Sequence, residues 1–134
     1  MRFIQKITIV TIKRPEHADV NEGLLYFGDS LGLFGLRDKD KSCYRLFVEL
    51  LKAAKNQVGL SSDELALRLG LTRGTVVHHL NKLIDSGIAV VANNRYYLKE
   101  ENLKVVIEAM KKDVDKHLNE LHSLASEIDN WIGI

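Results

Sequence analysis

The chain has 134 residues, enough for one domain with a buried core. Apolar residues make up 46% and charged residues 28%, with a net charge of +1, which excludes a disordered chain. A lone cysteine, Cys43, excludes an internal disulfide framework and fits a reducing, cytoplasmic setting.

Residues 3–12 (FIQKITIVTI) are rich in β-branched side chains and predict a strand. Both of its faces are apolar, so it requires cover from the hairpin described below or from its twin in a dimer. Gln5, Lys6 and Thr8 interrupt the run and no cleavage pattern follows, so it does not read as a secretory leader. Lys13 to His17, with the only proline, reads as a connector. Asp19 or Asn21 can cap a helix running to about Asp29, with Leu24, Leu25, Phe27 and Leu31 apolar. Gly28, Gly32 and Gly35 lack a following Gly-Lys-Ser/Thr, so they mark close packing or turns and not a phosphate loop. The run 23–36 contains Asp29 and is too short to span a bilayer. A second helix over about residues 41–57 carries Tyr44, Phe47, Leu50, Leu51 and Ala54 at core spacing. Cys43, beside them, reads as a structural thiol.

The most informative stretch is Ser61 to Leu98. Ser61 with Glu64 forms a capping box, Leu65, Ala66 and Leu69 make an apolar stripe, and Gly70 ends the helix. Thr72 caps the next helix, whose Val76, Leu80, Leu83 and Ile84 fall on one face. Its opposite face carries Gly74, Thr75, His78, Asn81, Lys82 and Asp85. After Gly87, residues 88–92 and 95–98 form short β-type runs split by Asn93-Asn94, a pair able to adopt the positive φ of a two-residue hairpin. Helix, turn, helix and hairpin in this order predict a winged helix-turn-helix.

Towards the C-terminus, Leu103, Ile107, Met110, Val114, His117, Leu121, Leu124, Ile128 and Trp131 repeat with alternating spacings of four and three. This is a heptad seam, with Leu118 and Ala125 widening it. A helix of about 45 Å at 1.5 Å per residue cannot lay its whole stripe on so small a body, so a homodimer is expected. The predicted fold is thus mainly α with a small β-hairpin. It divides into an N-terminal strand and helix extension (1–36), a winged helix-turn-helix (37–98) and a coiled-coil-like dimerisation helix (99–134).

ELALRLGLTRGTVVHHLNKLIDSGI (Glu64 to Ile88), with RYYL (Arg95 to Leu98), resembles the ArsR-type winged-helix regulators of prokaryotes. The resemblance covers some 40–50 residues and departs at Val77, where the family commonly has Ser. It implies that Thr72 to Lys82 form a recognition helix and Asn93 to Arg95 a wing tip. Candidate DNA contacts are then Thr72, Arg73, Thr75, His78, Asn81, Lys82, Asn94 and Arg95, with Lys82 on phosphate and Arg95 on phosphate or in the minor groove. His79, at the edge of the buried stripe, reads either as a packing or capping residue or as a DNA contact.

Two metal sites known in the family are not matched. The Cys-x-Cys positions are Ser61 and Asp63, and Asp115, His117 and His122 lack the second pair of ligands. No cofactor and no metal are expected. No nucleophile-base set stands out, so an enzyme is not expected either. The function expected is a homodimeric DNA-binding transcriptional regulator, a repressor by this resemblance, inserting the 72–86 helix into the major groove of a two-fold operator. A small-molecule effector is compatible with this class, and nothing in the chain identifies it. The alternative is a protein-interaction scaffold that binds no DNA. Charge distribution favours that alternative somewhat: residues 61–98 carry four basic against three acidic side chains, whereas 37–57 carry six against three and could supply phosphate contacts.

Overall fold

The computed structural model describes residues 4–16, 19–35 and 38–134. Phe3, His17, Leu36 and Arg37, which enter the expectations above, lie outside them. Five helices and a hairpin follow in order: α1 (Val20–Ser30), α2 (Ser42–Lys55), α3 (Ser62–Leu69), α4 (Arg73–Asp85), β1 (Ala89–Ala92), β2 (Arg95–Leu98) and α5 (Leu103–Ile132), with a 3-10 turn at Lys39–Lys41 before α2. Among the described residues no helix is long and apolar enough to cross a membrane.

Helix starts are set by short polar side chains that accept from amides otherwise left without a partner. Asp19 accepts from the Glu22 N–H at 2.8 Å, Ser61 from Glu64 at 3.0 Å, Thr72 from Thr75 at 3.1 Å and Asn102 from Val105 at 2.9 Å. Asn21, the other candidate cap for α1, instead accepts from the Tyr44 hydroxyl and ties α1 to α2. For α2 the cap comes from upstream: the Asp38 carboxylate accepts the Cys43 and Tyr44 amides at 2.8 and 3.2 Å. Gly70 ends α3 at φ 66°, a conformation that favours glycine.

These helices enclose one core. Leu46, Phe47 and Leu50 of α2 meet Leu65 of α3 and Val76, Leu80 and Leu83 of α4, all at or below 1% exposure. Phe27, Phe34 and Phe47 pack as an aromatic group, with Phe27 stacked on Phe47 at 6.0 Å, and this group holds α1 and the following loop onto α2. The antiparallel hairpin pairs Ala89 with Leu98 and Ala92 with Arg95, and Leu60 adds a single bridge to Tyr96. Asn93 and Asn94 make its turn with φ of 51° and 61°.

The expected N-terminal strand does not form among residues 4–12. These residues run extended without ladder pairing, as a strap across two helix ends. The Lys6 N–H donates to the Asp85 carbonyl of α4 at 3.0 Å, and the Val10 N–H donates to Ser30 of α1 at 2.7 Å. Unpaired carbonyls at helix C-termini supply the acceptors that a neighbouring strand would have supplied. Ile4 and Ile9 consequently stay exposed.

Two glycines of α1 differ in surroundings. A Cβ at Gly28 would run into the Phe34 ring, whereas one at Gly23 would meet nothing within 4 Å. Gly28→Ala is expected to destabilise by about 1–3 kcal/mol through overpacking. Gly23→Ala should stabilise by up to about 1 kcal/mol. Urea unfolding midpoints of the two variants against the parent chain check both signs.

Candidate nucleic-acid interface

The orientation of α4 follows from its buried stripe. With Val76, Leu80 and Leu83 facing the core, the residues about 180° away at 100° per residue must face outwards. Thr72, Arg73, Gly74, His78 and Asn81 are exposed, and Thr75 and Val77 are half-buried. The side chains of His78 and Asn81 make no hydrogen bond among the described residues. Thr72 and Thr75 are joined by their hydroxyls at 2.9 Å, which fixes the first turn of the helix. Arg73 stands 3.8 Å from the Asp63 carboxylate, and both side chains are largely exposed, so this contact contributes little and leaves the guanidinium available.

Two expected contacts are engaged within the chain. The Lys82 ammonium donates to the Leu33 carbonyl at 2.8 Å, so it braces α4 against the loop after α1. Arg95 donates to the Gly59 carbonyl at 2.9 Å and to Glu64 at 3.3 Å, which fastens the hairpin to the start of α3. Glu64 thereby serves Arg95, while Ser61 caps α3 through the Glu64 amide. Asn94, at the turn of the hairpin, is exposed. Arg45, exposed in the basic 37–57 segment, donates to the Leu69 carbonyl at the end of α3 at 2.6 Å. Lys39 and Lys41, exposed just before α2, make no ion pair among the described residues.

Behind α4 lies a polar chain that carries little local sequence signal. The Ser42 hydroxyl is 2.7 Å from Nε2 of His79 and 3.3 Å from the Asp38 carboxylate. Ser42 is only 4% exposed. His79 thus takes the packing role of its two candidate roles. Its separation of 37 residues from Ser42 hides the pairing from any local pattern. Burial holds the His79 pKa below its ordinary 6.5, against an opposing pull from Asp38, with His78 and Lys82 adding to the lowering. Cys43 is 1% exposed, and burial, with Asp38 second, pushes its thiol up to about 12. A thiol so protonated is a packing group.

The expected dimer seam divides into two parts. Leu103 packs against the core and Met110 is 6% exposed, with Val106 beside them at 1%. Met110 is therefore a core residue of its own chain and Leu103 is half-buried against that core, because this end of α5 lies on the body. Val114 is half-buried. Beyond it, residues 115–134 are all exposed. Leu121, Leu124 and Ile128 are 41–47% exposed and Trp131 is 72% exposed, while Ile107 stands at 39% beside α1. His117 faces Glu120 at 3.7 Å, both exposed.

Residues 45–98 match the model of an HTH domain, a helix-turn-helix DNA-binding family. The matched segment runs from α2 through β2, and with its hairpin it is a winged helix-turn-helix, which supports a DNA-binding regulator in general terms. No curated protein and no solved structure matches the chain.

Since His79 is harder to protonate folded than unfolded, acid favours the unfolded chain. Its contribution to stability is complete above about pH 6.5 and is lost as pH falls through the lower folded value. His79→Gln, which keeps a donor for Ser42, is expected to flatten that part of the pH profile of the urea midpoint.

Proposed function

We propose that this protein is a homodimeric transcriptional regulator of the ArsR-like type, acting as a repressor by inserting α4 into the major groove. The observation that carries the reading is the uncovered outer face of α4, within a segment that matches a helix-turn-helix domain. Arg73, Thr75, His78 and Asn81 are the side chains proposed to reach bases, with Thr72 and Asn94 at phosphates. Lys82 and Arg95 act indirectly here, by holding α4 and the hairpin in place.

The second copy is proposed to cover the distal stripe of α5. Leu118, Leu121, Leu124 and Ile128 lie on one side of that helix, and all are at least 41% exposed in the single chain. Coiled-coil spacing favours a like helix as the cover. Two α4 helices related by a two-fold axis would read half-sites about one turn, near 34 Å, apart. The division into an N-terminal extension, a reading module over 37–98 and a dimerisation helix over 99–134 belongs to the same proposal, as does a cytoplasmic location.

Titration of DNA upstream of the protein's own coding sequence, followed by gel shift at several salt concentrations, tests the reading. Binding is expected to weaken with salt, and Arg73→Ala or His78→Ala to cost about 1–3 kcal/mol each with dimerisation intact. Absence of binding to any DNA at about 50 mM salt would favour a protein-interaction scaffold. In sedimentation, Leu121→Asp is expected to give monomers that keep their helical circular dichroism.

A further inference from the structure

We propose that the cleft between the N-terminal strap, α1 and α5 binds a small apolar carboxylate. The cleft has a volume of about 340 Å³ and lies outside the matched 45–98 segment. Its walls are largely apolar, from Pro15 in the connector after the strap, Phe27 and Leu31 of α1 and its following turn, and Ile107 of α5. Tyr26 adds a ring with a polar tip. The volume sits at the low end of small-molecule sites, roughly 300–1,000 Å³, so a single-ring compound fits better than a nucleotide.

Two lining groups specify the charge. Arg14 is the one charged residue of the lining, exposed and without an ion pair among the described residues. Ser30 also lines the cleft, and its hydroxyl is shielded from solvent without a hydrogen-bond partner. A buried hydroxyl normally finds a partner, so this one is an unused donor, which an occupant of the cleft reaches once the Ser30 side chain turns towards it. Arginine only donates, and the serine hydroxyl has a proton free to give. An acceptor-only group, an ionised carboxylate, matches both. Among the described residues no acidic side chain lines the cleft to compete with it.

The site is also placed where an occupant would be felt elsewhere. The Val10 amide of the strap donates to the carbonyl of the same Ser30, and the Lys6 amide donates to Asp85 at the end of α4. Ile107 belongs to the helix proposed to dimerise. An effect on DNA binding rests on the regulator reading, but ligand binding itself does not.

The test is an NMR titration of the full chain, without DNA, using 3-phenylpropionate and its neutral amide. Saturable shifts of the Gly23, Ser30 and Ile107 amides are expected with the acid, and the neutral amide should bind at least about tenfold more weakly. Arg14→Gln, at an exposed position, should bring the acid down to the level of the neutral amide. Ser30→Ala should weaken the acid without lowering the urea midpoint, since that hydroxyl has no partner to lose. Equal binding of acid and amide, no saturable shift, or indifference to Arg14→Gln would overturn the proposal. Because no DNA is present, failure of the regulator reading would leave these outcomes unchanged.

Discussion

The insertion of Val76, Leu80 and Leu83 into the core is the constraint on which the remaining geometry depends. Three apolar side chains at helical spacing can be buried together in only one rotation of α4 about its axis. That rotation turns Arg73, His78 and Asn81 to the surface and brings His79 back against Ser42. Lys82 then meets the loop after α1, where its ammonium secures the angle of the helix. The polar chain of Asp38, Ser42 and His79 joins the start of α2 to the middle of α4, so the start of one helix and the setting of the other are linked.

Local signals were the ones legible in the sequence. Ser61, Thr72, Gly70 and the Asn93-Asn94 turn each act through backbone groups within a few residues, and the structure has all four in those roles. The strand expected over residues 3–12 had the composition of a strand but no information about a partner, and a strap bonded to Asp85 and Ser30 meets the same backbone needs. Heptad spacing along α5 was also legible, yet spacing alone could not tell which turns rest on the chain's own body. Burial of Met110 and Val106 draws that line. The engagement of Lys82 with Leu33 and of Arg95 with Gly59 spans 49 and 36 residues, beyond any local pattern.

Charge takes on a different meaning once these partners are known. Arg45, Lys82 and Arg95 each bond to a main-chain carbonyl, so they contribute positive charge to the surroundings while their donors are used for architecture. Arg73 and the lysines before α2 are less encumbered. A modest net charge is therefore divided between groups that hold the module together and a smaller number that remain open to a polyanion.

Fastening Arg95 to both Gly59 and Glu64 has a mechanical consequence. The turn end of the hairpin is tied through Arg95, and the next residue, Tyr96, is held by the bridge to Leu60, so the hairpin is coupled to the start of α3. Hairpin and helices move as a calliper of fixed gauge. A surface that fits this gauge is met by parts already ordered, whereas one that does not fit has to be bent to the protein.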